Sequence, residues 1–424
     1  MIIKENRTNS FSRLVKFSII LSIIPVVFTS FFPGKIAIIT MLCCYPLIFF
    51  RFFLKNNTIN FDANFYIRLF QIYTAIVFLR GLMDANSDED WRVMFSTLIP
   101  IYLFVNFSMY LVVNKAAFVT IFYTFFSYCL ILSFIILFNG SNAFSMAISP
   151  IYIVILMMPY LSKKFKIVIL SLALVSFFSD LQNRSNMINI IMAILIAMTF
   201  IFKKNRLTLS LMRFSRMIFL TLPVLFLVLG LTGVFNVFLI GEAYSDLKIS
   251  TASGNDQEIL VDSRTGIYAD VFKQLVKEDA IPFGLGASGK IETSLVDNIN
   301  NLTFAEIYKE GRRGAESGML NYIQWGGLVG GVFYFLLFVK ASYYGLFQSK
   351  NWFCTMLGLW LAYKGLYSFI EDRPGFSINI IFIFLSIGIC LNKEIRQISD
   401  YKMKLLFTYI INKTFIFRIL SIRK

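Results

Sequence analysis

MLNYIQWGGLVGGVFYFLLFV, residues 319–339, carries no charge between Glu316 and Lys340. A helix needs about 20 such residues to cross the hydrocarbon core of a bilayer. The apolarity is continuous, whereas a membrane barrel strand alternates over about 10 residues, so the run reads as a helix. Comparable runs fall at 15–32, 36–54, 65–83, 92–113, 116–138, 148–162, 166–180, 187–202, 217–240, 351–370 and 375–391. With 319–339 they make twelve candidate spans, those at 148–162 and 166–180 being short. The first run follows Lys4, Arg7, Arg13 and Lys16 as a signal peptide would, but ends in Phe31-Phe32-Pro33-Gly34 without a small-residue cleavage site, and is expected to be retained.

Composition agrees. Of 424 residues 57% are apolar and 48 are Phe, while only 15% are charged, against about 25% in soluble domains. The chain therefore reads as an all-α polytopic membrane protein of about twelve transmembrane helices, with one large extracytoplasmic loop between helices 9 and 10. The expected parts are helices 1–9 over 1–240, the loop over 241–318, helices 10–12 over 319–391, and a basic amphipathic tail over 392–424.

Cytoplasmic gaps of membrane proteins are enriched in Lys and Arg. Placing the N-terminus inside puts 25 of the 40 basic residues on that side, among them Lys163, Lys164, Lys166, Lys203, Lys204 and Arg206. The opposite gaps include the acidic Asp84–Asp90 stretch, Glu371-Asp372-Arg373-Pro374 and the loop 241–318, which alone holds 13 of the 24 acids. Both termini are then cytoplasmic. The net charge of +16 follows from these gaps and the tail, whose alternation of Lys and Arg with Leu, Ile and Phe fits a helix on an anionic leaflet. No nucleic-acid partner is expected, because the basic residues are dispersed between spans.

There is no histidine, which removes the commonest metal ligand and general base. The scattered acids show no metal-ligand spacing, so neither metal nor cofactor is expected. Cys43, Cys44, Cys129, Cys354 and Cys390 all sit in apolar runs without CxxC spacing and read as packing residues. Within 241–318, Ile267, Val271, Phe272, Leu275 and Val276 have helical spacing after Asp262 or Ser263, either of which can cap the helix. Pro282-Phe283-Gly284-Leu285-Gly286 ends it in a turn, and a second short helix is expected around 302–309.

Charged side chains at a membrane boundary are costly and tend to be kept for function. Arg80, Arg92, Arg184 and Arg373 fall near the outer ends of spans, Lys364 lies two turns inside the eleventh, and Arg264, Arg312 and Arg313 belong to the loop. The planar guanidinium fork suits phosphate, so the set reads as a clamp for a lipid-linked diphosphate. Arg80, Arg92 and Arg373 have acids nearby in sequence and can equally pair or snorkel; Lys364 has no adjacent acid.

The order Asp262-Ser263-Arg264-Thr265-Gly266-Ile267-Tyr268, Pro282-Phe283-Gly284-Leu285-Gly286, Glu316-Ser317-Gly318 and Gly326-Gly327-Leu328-Val329-Gly330 resembles the large outer loop of the bacterial O-antigen polymerase and ligase superfamily. Ligases of that superfamily carry a functional histidine ahead of the glycine-rich helix, where this chain has Glu316-Ser317; the resemblance therefore implies a repeat-unit polymerase of the bacterial inner membrane. The turn Asn183-Arg184-Ser185-Asn186 is similar to its Arg-bearing outer turn, without the usual Ser-Arg-Gly order. The implied reaction transfers a glycan from polyprenyl (undecaprenyl) diphosphate to a hydroxyl of a second lipid-linked repeat unit. Arg264, Arg312 or Arg313, Arg184, Lys364 and Arg80 are the implied diphosphate ligands, and Glu316, with Asp262 in reserve, the implied base. A chain-length regulator is a candidate partner. The alternatives are a lipid-linked oligosaccharide flippase, disfavoured by the lack of a repeat between the halves, and an O-antigen ligase, disfavoured by the lack of histidine.

Overall fold

The computed structural model describes residues 64–114, 117–127, 148–179, 184–203, 205–231, 248–250, 256–258, 263–292, 311–375 and 377–413. The runs at 15–32 and 36–54, the far parts of 116–138 and 217–240, the expected helix at 302–309, Asp262, Cys43, Cys44 and Cys129 lie outside the described residues.

The chain folds as helices in the order α1 (Asn64–Asp84), α2 (Asp88–Val113), α3 (Ala117–Ser127), α4 (Ile151–Met157), α5 (Lys163–Ser179), α6 (Arg184–Met198), α7 (Arg206–Leu231), α8 (Ser263–Lys277), α9 (Gly318–Phe347), α10 (Trp352–Tyr367), α11 (Ile378–Leu391), α12 (Lys393–Arg396) and α13 (Asp400–Lys413). Between α7 and α8 two short strands, β1 (Lys248–Ser250) and β2 (Asp256–Glu258), pair antiparallel. Apart from these two three-residue strands the regular structure of the described residues is helical, as expected of an all-α membrane protein.

Five helices, Asn64–Asp84, Asp88–Val113, Ser185–Phe202, Arg206–Leu229 and Gly318–Phe347, are long and apolar enough to cross a membrane. Phe65, Ile72, Ile76 and Leu79 on α1 and Leu207, Leu211, Phe214, Val224 and Val228 on α7 are exposed. Water would penalise such continuous apolar faces, and lipid accepts them. The protein is a helical membrane protein. By contrast α10 and α11, of 16 and 14 residues, are buried almost throughout and form its centre. There α9 and α10 cross at Gly345 and Gly358, where a side chain on either would meet backbone of the other. Cys354 and Cys390 are buried and unbridged.

The expected span 319–339 is displaced by a break. Gly327 has φ 65°, inside what is otherwise one helix, and residues 318–327 before it are all buried in the bundle. The 20 residues from Leu328 to Phe347 are the part of spanning length. The turn 281–286 inserts at the break. Leu285 and Gly286 donate their N–H groups to the carbonyls of Gln324 and Trp325 (2.7 and 3.0 Å), and Leu328 and Val329 donate to those of Ile281 and Pro282 (2.9 and 3.2 Å). These four backbone bonds to the inserted turn stand in for helical ones at the break, as a low-dielectric setting favours. A side chain on Gly327 would overlap the Pro282 carbonyl, and one on Gly284, φ 72°, would overlap the Gly326–Gly327 backbone. The Tyr73 hydroxyl closes the joint by donating to the Gly326 carbonyl at 2.5 Å.

Two groups of loops gather at opposite ends of this bundle. At one end the α1–α2 turn, 281–291, 311–317 and 368–377 touch one another: Ser288 donates to the Gly81 carbonyl, Arg80 to that of Phe283, and Ser317 pairs with Asp372. At the other end Tyr160, Lys203, Trp352 and Asp400 meet.

Candidate functional site

The first end carries most of the sequence-derived candidates, and its loops are built by short-range rules. Ser87 caps α2: its hydroxyl accepts from the Asp90 N–H while the Asp90 carboxylate accepts from the Ser87 and Asn86 N–H groups. Ser317 caps α9, its hydroxyl accepting from the Leu320 N–H and donating to the Ser368 carbonyl. Asn321, buried one turn into α9, accepts from the Ala315 N–H and donates to the Ala315 and Ser317 carbonyls. The loop 314–317 is thus held by a side chain of the helix that it opens. Tyr268 of α8 donates to the Phe369 carbonyl at 2.5 Å and lies 3.2 Å from the Ser317 hydroxyl, fixing α8 to both loops.

The sequence leaves Arg312 and Arg313 interchangeable; the structure separates them. Arg312 forms a β-bridge with Ile291, and in extended backbone successive side chains point to opposite sides. Arg313 turns inward. Its Nε lies 2.5 Å from Asp90 Oδ1 and its Nη2 3.1 Å from the Ser87 hydroxyl, with both charged side chains buried. That pair locks the loop to the cap of α2. Arg312 turns the other way, donating from Nε to the Gly314 carbonyl at 2.6 Å and from Nη2 to Glu316 Oε1 at 3.3 Å. Glu316 keeps 47% of its side chain exposed. Ser317 and Asp372 form an antiparallel bridge, which brings the loop that carries Glu316 to the loop that carries Arg373. The Arg373 guanidinium also reaches Gly314, its Nη2 3.9 Å from where a Cβ would stand. Arg312, Glu316 and Arg373 therefore share one accessible corner.

Other candidates are placed differently. Arg80 braces the inserted turn through the Phe283 carbonyl at 3.1 Å, and Arg92 pairs with Glu89 on the surface. Arg184 is the first residue of α6 and Arg264 the second of α8. Lys364 is corrected as to its partner: it is 1% exposed, and its ammonium lies 2.8 and 2.6 Å from the two oxygens of Asp372. It also stands 4.3 Å over the Tyr367 ring and 3.5 Å from Asn189 Oδ1. Asp372, missed in the sequence as a partner for Lys364, accepts in addition from Asn379 Nδ2 at 3.2 Å. Among the described residues no group of three or more carboxylates or thiols is placed to hold a metal ion.

In chemical terms the corner offers two guanidinium forks and one carboxylate at the edge of an apolar bundle, with a buried amide network behind them. It can bind an anion and accept a proton in the same place. Compared with known proteins, the chain matches no family model, no curated protein and no solved structure.

Proposed function

We propose that the chain is a polysaccharide repeat-unit polymerase of a bacterial cytoplasmic membrane, with about twelve spans, both termini cytoplasmic and the Glu316 corner on the outer face. The observation that carries this reading is the juxtaposition of Arg312, Arg373 and half-exposed Glu316 where buried helices meet an extramembrane segment. A lipid-linked diphosphate has its charge at that depth. The order of motifs supports the same reading, since Pro282–Gly286 and Gly326–Gly330 interlock in space.

In the reaction, an acceptor sugar hydroxyl attacks the anomeric carbon of the donor. The bond from that carbon to the diphosphate oxygen breaks, and polyprenyl diphosphate leaves with the electron pair. Arg312 and Arg373 neutralise the departing charge, the role that the resemblance also implies for Arg264 and Arg184. Glu316 takes the hydroxyl proton. Arg312, which pairs with Glu316, turns to phosphate when the donor binds and so frees the carboxylate.

The test is the glycan made by a host lacking this chain. Accumulation of product bearing a single repeat unit is expected. Loss of all exported product would replace the reading with a flippase, and unattached long polymer would replace it with a ligase.

A further inference from the structure

A lysine and an aspartate buried together inside a helical bundle are expensive to desolvate, and such pairs contribute little net stability compared with apolar residues of the same size. Lys364 and Asp372 are 1% and 5% exposed at their side chains. What the pair does structurally is specific. Asp372 sits at φ 63°, a left-handed conformation that Asp tolerates better than most residues. Its carboxylate is held from three elements: Lys364 of α10 from below, Asn379 of α11 from the side, and, through Lys364, Asn189 of α6, which also accepts from the Tyr363 hydroxyl at 3.2 Å. Its backbone faces the other way, toward the start of α9. The Gly318 N–H donates to the Glu371 carbonyl and the Met319 N–H to that of Ser368, both at 2.7 Å. A side chain at Gly318 would press on the Asp372 carbonyl, so the contact has no slack.

We propose that Lys364 and Asp372 are a positioning pair: by fixing the turn at Asp372 against Ser317 they hold the loop that carries Glu316 against the turn that carries Arg373. Neither side chain touches substrate. The consequence for turnover rests on the polymerase reading above; the placement of the two loops does not.

The experiment reads placement directly. In the full chain, Glu316→Cys with Arg373→Cys puts thiols at the two positions next to the Ser317–Asp372 bridge, one on each loop. With the pair intact, mild oxidation of membranes should close that disulfide readily. In the background Lys364→Met with Asp372→Asn both charges are gone, so none is left stranded, and Asn keeps the tolerance for positive φ. Closure there should slow by about tenfold or more at an unchanged protein level, whereas Lys364→Arg with Asp372 kept, which preserves the charge pair, should close as readily as the intact pair. Asn379→Ala removes one donor from Asp372 and leaves the charges paired; an intermediate rate is expected, and this variant decides the matter if the double neutral variant does not accumulate. Wild-type closure rates in whichever neutral or donor-deleted variants reach normal levels would overturn the proposal. In a purified polymerase the same backgrounds should lower kcat with little change in KM for the lipid-linked donor. Unimpaired kcat with slowed closure would refute the catalytic consequence, while the absence of any polymer from the unmodified chain would refute only the polymerase reading.

Discussion

The two ends of the bundle both carry buried polar groups, but they use them differently. At the end holding Tyr160, charges and amides are spent on joining helices. Asp400 accepts from the Tyr160 hydroxyl, the Trp352 N–H and Lys203; Asn351 donates to the carbonyls of Ile395, Arg396 and Ile398; Arg396, buried, donates to that of Gln348. These contacts seat α13, whose Met403, Phe407, Ile410 and Ile411 are buried while Tyr401, Leu405 and Tyr409 are exposed. At the Glu316 end the inner ring, Arg313 with Asp90 and Lys364 with Asp372, is equally enclosed. Outside it stand charges with accessible faces. There Arg312 pairs with half-exposed Glu316 within one loop instead of joining two helices.

The comparison breaks first at Arg313. Arg313→Ala would leave the Asp90 carboxylate buried without its partner, at a cost of about 3–5 kcal/mol. The protein should largely vanish from membranes, and Asp90→Leu with Arg313→Met should restore it, as measured by immunoblot and by Tm in detergent. Glu316→Gln, one residue from the bridge, should leave the protein level and Tm unchanged and cut polymer formation by about 10²–10⁴-fold. Normal polymer from that variant would remove Glu316 from the chemistry. Next is Gly327→Ala, which forces a side chain into positive φ and onto Pro282. A loss of about 1–3 kcal/mol is expected, with faster proteolysis in 281–292 as the inserted turn is released.

Much of this was legible in the residues. Long uncharged runs announced apolar helices, five of which are of spanning length among the described residues. The glycine motifs were visible as motifs. Their union was not, because a run such as Gly326-Gly327-Leu328 does not state which glycine leaves helical φ, and the partner turn lies some forty positions away. The separation of Arg312 from Arg313 needed the bridge to Ile291 that makes the backbone extended there. Lys364 looked unpaired because its acid is eight positions on, past the end of α10, and becomes its neighbour only when Asp372 takes positive φ and folds the turn back. Pairing across a turn is a property of backbone geometry, and spacing rules for continuous helices miss it.

The smallest expected effect lies at the other end, at Asp400. Burial pushes its carboxyl upward more than any single partner pulls it down, yet the Tyr160 hydroxyl, the Trp352 N–H and Lys203 together hold it below the usual 3.8. A carboxylate with a lowered folded pKa adds stability above its unfolded value and gives it up as pH falls through the folded one. Tm should therefore be flat near neutrality and drop below about pH 4, and Asp400→Asn should remove the part of that drop due to this group. Because about a third of the Asp400 and Lys203 side chains remain exposed, solvent screens the pair and the cost at neutral pH should be only about 1 kcal/mol. Polymer formation should be unchanged, since Asp400 joins helices at the end away from Glu316. A loss of polymer at normal protein level in Asp400→Asn would show that the two ends are coupled, and the division between a joining end and a working end would have to be abandoned.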